Sequence, residues 1–269
     1  MLGEIVNQTR AERPLVHCLT NYVTANDCAN ILLACGASPI MADDPEEAAG
    51  IVAQCNGLVL NLGTPNPRKL SAMMLAGREA NRLGLPVILD PVGVGSSLLR
   101  MDAARSMLEA IRFAAIRGNA SEISALVHGM SSGRGVDAGD SLLSDSVTEY
   151  AAELSLKTGA VVVVTGDSDI VTDGAKTYRV MNGHPMMRTV TGAGCQLSAL
   201  LGAYISANPG QITEAALAAV CAMGLCGEIA HSRLSPLDGN ATYRNYIIDA
   251  IYHLSPEALE KGAKYENIR

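Results

Sequence analysis

Residues 160–165 read Ala-Val-Val-Val-Val-Thr, and a kindred run at 86–90 reads Pro-Val-Ile-Leu-Asp. Neither run alternates apolar with polar residues. Strands that are apolar on both faces belong to parallel sheets covered by helices on both sides, and β-branched residues suit the pleat. Outward from these runs, further short strands are predicted at 15–19, 39–41, 57–62 and 113–117. Helical periodicity fills the intervals at 24–35, 45–55, 67–83, 98–111, 121–129 and 146–158. The alternation predicts a doubly wound α/β fold with a mostly parallel central sheet and helices on both faces. After Thr165 the rhythm changes. Asp173-Gly174 between two extended runs signals a hairpin, and long helical patterns follow at 196–206, 212–233 and 240–253. With no Pro/Ser-rich linker or repeat in sight, residues 1–269 are expected to form one domain.

The 269 residues are 48% hydrophobic and 17% charged, with 20 Lys and Arg against 27 Asp and Glu, a formal net charge of −7. High apolar content with low charge opposes disorder. No cationic block exists to displace phosphate counterions, and a single Phe, eight Tyr and no Trp leave few stacking platforms. Nucleic acid is therefore a poor partner. The longest apolar stretch, AALAAVCAMGLCG at 215–227, falls short of the roughly 20 residues that span a bilayer. It predicts a helix buried in protein and no membrane partner. MLGEIVNQTRAERP at residues 1–14 carries charges of both signs and lacks a signal-peptide apolar core, so the cytosol is the expected compartment. Seven cysteines without a C-x-x-C pair fit neither a disulfide framework nor a zinc ribbon, and all except Cys195 read as small buried hydrophobes.

In an open α/β sheet, ligands bind beyond the carboxyl ends of the strands. Phosphate-loop, nucleophile-elbow and H-E-x-x-H motifs are absent, and Gly93-Val94-Gly95 lacks the third glycine of a dinucleotide fingerprint, having Leu98 there. The sharpest signal is TVTGAGC at 189–195, followed by Leu197, Leu200, Leu201, Tyr204 and Ile205 at helical spacing. Two glycines and a helix N-terminus make a plausible phosphate cradle; an ordinary glycine-rich turn into a helix has the same spacing. Asp90 ends the VILD strand, and Glu122 follows the strand ending at Arg117. One or two carboxylates beside substrate phosphates suffice for Mg²⁺. Asn119 and Glu122 equally fit a capping box. Arg117 suits either a nucleotide phosphate or a structural ion pair, and Thr165 either a nucleotide or the nearby backbone. The five histidines read as core or surface residues. Asp43, Asp44, Glu46 and Glu47 read as charge favouring a helix N-terminus.

In this order, the segments PLVHCLTNYVTANDCANILLACGASPIMADDPEE (14–47), LVLNLGTPNP (58–67), VILDPVGVG (87–95), IRGNASE (116–122), VVVVTGDSDIV (161–171) and TVTGAGC resemble the hydroxyethylthiazole kinases of thiamine salvage, within the ribokinase-like fold. The resemblance implies transfer of the ATP γ-phosphoryl group to the primary alcohol of 4-methyl-5-(2-hydroxyethyl)thiazole. It puts the thiazole near Asn21, Val23, Met41, Gly63, Thr64 and Gly192, ATP at Arg117 and Thr165, and Mg²⁺ at Asp90 and Glu122. It also implies a homotrimer with the thiazole site at a subunit boundary.

Gly192, Ala193, Gly194 and Cys195 are the expected catalytic group. Sugar kinases of this fold carry an Asp general base where this chain, like the thiazole kinases it resembles, has Cys195. A helix N-terminus is expected to depress a thiol from its usual value near 8.5, which would make it a weak base. Phosphoryl transfer needs little early proton removal, so Cys195 is expected to assist without being indispensable. Three rivals share the fold or pocket: a pyrimidine or pyridoxal kinase, a nucleotide-dependent lyase that repairs hydrated NAD(P)H, and a nucleotide sensor without turnover. TNYVTAN at 20–26 favours the thiazole kinase.

Overall fold

The computed structural model describes residues 1–129 and 142–269, with side chains described at 1–129 and 146–269. Its centre is six parallel strands: β1 (Leu15–Leu19), β2 (Ser38–Ile40), β3 (Gly57–Asn61), β4 (Val87–Asp90), β5 (Ala115–Asn119) and β6 (Val161–Thr165). Three antiparallel strands, β7 (Asp169–Thr172), β8 (Thr177–Val180) and β9 (Tyr265–Asn267), extend one edge. The spatial order is β2-β1-β3-β4-β5-β6-β7-β8-β9.

Successive side chains of a strand face opposite ways, and β6 shows why its valines all stay apolar. Val161 and Val163 enter the core under α1 (Leu2–Glu12), α2 (Ala25–Ala34), α8 (Ala193–Ala207), α9 (Ile212–Ser232), α10 (Asn240–His253) and α11 (Pro256–Gly262). Val162 and Val164 enter the opposite core under α3 (Ala48–Val52), α4 (Pro67–Arg82), α5 (Leu98–Ala110), α6 (Ala120–His128) and α7 (Leu142–Thr158). Burying each such valine contributes about 1.5–3 kcal/mol. The doubly wound, mostly parallel sheet expected from the strand pattern is the observed one. The hairpin at Asp173-Gly174 also forms, with Gly174 at φ 85° and the Asp173 N–H donating to the Lys176 carbonyl at 3.2 Å.

Several boundaries move for local reasons. The strand expected at 113–117 lies two residues later, ending at Asn119, whose side chain already caps α6. The helix expected at 45–55 shrinks to five residues, because the Asp44 carboxylate accepts from the Glu46 N–H at 3.0 Å and holds a preceding turn. Helices α1 and α11 and strand β9 were not anticipated. The apolar residues of α1 (Leu2, Ile5, Val6) are too few in a charged stretch to announce it, and β9 exists only by pairing with distant β8. Helix α9 has 21 residues with mean hydropathy 1.6, long and apolar enough to cross a membrane by length and composition. Residues 215–227 within it are all buried in protein. Their small side chains admit close neighbours: a Cβ on Gly224 would lie 2.7 Å from the Asn182 backbone.

Candidate active site

Parallel register aligns the carboxyl ends of the central strands. Asn61 of β3 pairs with Asp90 of β4, and Asn119 of β5 with Thr165 of β6. Above this row stands the N-terminus of α8. Gly192 enters it at φ 89°, a left-handed conformation that suits glycine, and a Cβ there would come within 2.5 Å of Thr24. No side chain caps the helix; the Ala193 N–H donates to the Val190 carbonyl at 3.3 Å, and the next amides, of Gly194 and Cys195, with the positive end of the helix dipole, face an incoming anion.

Asp90 is fully buried. Its Oδ2 accepts from Asn61 Nδ2 at 2.7 Å and Ser198 Oγ at 2.8 Å. Its Oδ1 has no hydrogen-bond partner and lies 3.7 Å from Arg117 Nη1. Burial pushes the carboxyl up to about 6, with the Arg117 charge opposing and the Glu122 charge adding. A buried carboxylate oxygen with unused lone pairs is costly unless something cationic meets it. Arg117 turns its other nitrogen outward: Nη2 donates to Thr165 Oγ1 at 2.6 Å. The guanidinium also lies against Gly194, where any Cβ would collide with Nη1 and Nη2. Asp90, Arg117, Thr165 and Gly194 therefore form one unit.

The capping box anticipated at Asn119 and Glu122 is present. Asn119 Oδ1 accepts from the Glu122 N–H, and Glu122 Oε2 accepts from the Asn119 N–H, both at 2.8 Å. Glu122 Oε1 accepts from the Gly93 N–H at 2.8 Å, tying the loop after β4 to α6. Each Glu122 oxygen is thus already engaged once.

Cys195 sits in the first turn of α8, and its Sγ accepts from Asn61 Nδ2 at 3.3 Å and Asn21 Nδ2 at 3.4 Å. The expected depression of this thiol is overturned. Burial pushes it above its ordinary value and the Asp90 charge adds to that, outweighing the hydrogen bonds from Thr24, Asn61 and Asn21. Near neutral pH Cys195 is a protonated thiol.

Asn21 Oδ1 accepts from the Val23 and Thr24 N–H groups at 3.0 and 3.1 Å, and Nδ2 donates to Asn61 Oδ1 at 3.0 Å. Gly63 completes the cluster: its N–H donates to Asn61 Oδ1 at 2.9 Å, and a Cβ would lie 2.8 Å from Asn21. Thr64 follows at φ 45° with its Oγ1 buried and unpartnered. Val23 lies in the turn between β1 and α2, its N–H held by Asn21, and Met41 directly follows β2; their exposures are 56% and 38%. Asn61, Ser198 and Lys69 were missed. Asn61 occupies the same strand-end position as Asp90, a signal the strand-end rule could have found. Ser198 follows Cys195 by three residues, one helical face.

On the far side of Arg117 opens a cleft of about 600 Å³, bounded by Thr165, Gly192 and Gly194 and faced by His184, Met187 and Met223. Its size and mixed lining suit a nucleotide. Among the described residues no group of three His, Cys, Asp or Glu side chains could hold a metal ion.

The hydroxyethylthiazole kinase family model matches residues 6–257. A hydroxyethylthiazole kinase of Clostridium acetobutylicum is 52% identical, the match covering 99% of this chain and all of that one. One from Desulfovibrio desulfuricans is 44% identical over all of this chain and 99% of its own. The solved hydroxyethylthiazole kinase structure from Pyrococcus horikoshii superposes with a TM-score of 0.89 at 30% identity, covering 100% of this chain and 99% of that one. A pyridoxal kinase from Staphylococcus aureus shares the ribokinase-like fold, with a TM-score of 0.65 at 14% identity over 94% of this chain and 98% of its own. Carried end to end by sequence and fold alike, the likeness has one outcome: the chain belongs to the hydroxyethylthiazole kinase family.

Proposed function

We propose that residues 1–269, acting as one kinase domain, transfer the γ-phosphoryl group of ATP to the hydroxyethyl oxygen of 4-methyl-5-(2-hydroxyethyl)thiazole, a salvage step toward thiamine diphosphate. Family membership makes the chain a phosphotransferase; the observation that carries the assignment of roles is the Asp90–Arg117–Thr165 unit, whose Arg117 and Thr165 line a nucleotide-sized cleft together with the uncapped start of α8. Arg117 and Thr165 hold the ATP phosphates. The turn of Gly192, Ala193, Gly194 and Cys195 receives the transferring group through its amides that carry no internal bond, where fixed dipoles stabilise charge without reorganising. Thiazole lies among Asn21, Val23, Met41, Gly63, Thr64 and Gly192.

The donor set fits Mg²⁺, a hard cation satisfied by one or two carboxylates plus phosphate oxygens and water. Asp90 Oδ1 is the buried oxygen left without a partner. Glu122 has one lone pair left on each oxygen beyond its backbone bonds, which suits a contact through water. Bound there, Mg²⁺ supplies charge neutralisation to the polyphosphate.

The hydroxyethyl oxygen forms its bond to the γ-phosphorus as the bond to the ADP oxygen breaks, and the alcohol proton leaves late, to water or to an oxygen of the transferred phosphoryl group. A protonated Cys195 is no base for that proton in the resting enzyme. Its place between Asn21 and Asn61 suits it to orient the alcohol. Cys195→Ala is therefore expected to lower kcat less than about tenfold, whereas loss of an essential base costs roughly 10²-fold or more. Steady-state rates of the two proteins check this.

The exposed Tyr22 (83%), Val23 and Met41 leave the thiazole side of the site open to solvent, which supports a homotrimer whose neighbouring subunit covers it. Seven free cysteines suit a reducing cytosol. The test of the assignment is ATP turnover: ADP release should require the thiazole alcohol and Mg²⁺. Equal release without the alcohol would refute it.

A further inference from the structure

Lys69 is placed against two physical rules. It lies in the first turn of α4, where the helix dipole disfavours a cation, and it is only 4% exposed, although buried ammonium groups are costly to desolvate. Its Nζ donates to the carbonyls of Thr20 and Gly63, the latter at 3.3 Å. Those carbonyls follow β1 and β3, directly before Asn21 and Thr64, two of the six residues placed around the thiazole.

The Gly63 carbonyl belongs to the peptide group whose nitrogen is that of Thr64, so holding it fixes the plane about which the Thr64 φ turns. The other side of Gly63 is held as well, its N–H donating to Asn61 Oδ1. Between these anchors Thr64, a β-branched residue, adopts φ 45°. Such residues avoid the left-handed region, and persist there only when the surroundings over-determine them. The result is a threonine hydroxyl buried without a partner, beside the Asn21, Asn61 and Cys195 cluster.

We infer that Lys69 is a positioning residue of the acceptor site: by tying the Thr20 and Gly63 carbonyls together it keeps Thr64 in its left-handed conformation, with its hydroxyl free to bond a small heteroaromatic alcohol. The inference rests on the reading that the acceptor binds beside Gly63 and Thr64. Burial lowers the Lys69 amine to about 8, while the Asp43 charge favours its charged form. It thus still carries its proton near neutral pH, where it holds both carbonyls by charge-assisted bonds.

The test is a double-mutant cycle of Lys69→Met and Thr64→Gly, read as KM for the thiazole alcohol, KM for ATP and Tm. Lys69→Met is expected to raise the alcohol KM about tenfold, the loss of one well-made hydrogen bond, with the ATP KM unchanged. In the Thr64→Gly background, the same substitution should add less than about twofold, because a residue acting through Thr64 has nothing left to position. Full additivity of the two effects, or a parallel rise in the ATP KM, overturns the inference. If Lys69→Met does not fold, Lys69→Gln, which retains a donor, is measured in its place against the same criteria. An unchanged alcohol KM in Thr64→Gly alone overturns the acceptor-site reading, and the role of Lys69 with it. A raised KM in Thr64→Gly with none in Lys69→Met overturns only the role of Lys69.

Discussion

Asp90→Asn is expected to lower kcat about 10³-fold, within the range for loss of a charged group that acts only in the transition state. The substituted amide can still accept from Asn61 and Ser198 through its oxygen, as Asp90 Oδ2 does at 2.7 and 2.8 Å. What disappears is the negative charge opposite Arg117 and the oxygen lacking a partner. Removing a desolvated carboxylate also removes its burial cost, so Tm should stay level or rise. A rate loss with preserved or improved stability marks Asp90 as a functional group held at a structural cost. Loss of both together would make it a structural buried acid. Steady-state kinetics and thermal denaturation of the same preparation separate the two.

Gly194→Val is the second large effect, with an expected fall in kcat of roughly 10²–10³-fold. The mechanism is steric and specific. A Cβ at 194 lands on the Arg117 guanidinium, which must then leave both Thr165 and Asp90. The displaced group is the far end of a flexible side chain, and Gly194 is helical in α8, so folding stability should change by no more than about 1–2 kcal/mol. If stability and rate fell in proportion, TVTGAGC would be a turn into a helix and nothing more. Gly192 differs, because its φ of 89° would strain any other residue and mix folding with function.

These two predictions draw on residues whose visibility in the sequence differed. Asp90 and Thr165 were legible because each ends a strand that is apolar on both faces, and the topology sends such ends to one edge of the sheet; Arg117 was legible near the same edge although β5 runs two residues past it. Asn61 ends β3 in the same way, but the strand expected at 57–62 runs one residue further and so hides Asn61 inside it. The wrong direction for the Cys195 thiol has a plain cause. The helix N-terminus is written in the sequence, whereas burial beside the Asp90 carboxylate exists only in the fold. Lys69 was invisible for a related reason: on α4 it resembles an ordinary surface lysine, and only packing brings the carbonyls of β1 and β3 to it. The parallel part of the sheet came from local pattern, while β9 depended on a pairing between positions 89 apart in the chain, Tyr178 and Asn267 in register.

The central claim is that this edge of the sheet hands a phosphoryl group to a thiazole alcohol. A competition measures it most directly: equal concentrations of 4-methyl-5-(2-hydroxyethyl)thiazole and a hydroxymethylpyrimidine, one pool of ATP and Mg²⁺, and the ratio of the two phosphorylated products read by ³¹P NMR or mass spectrometry. The thiazole phosphate is the expected dominant product, formed about 10³-fold more slowly by Asp90→Asn. Phosphorylation of the pyrimidine alone would contradict it.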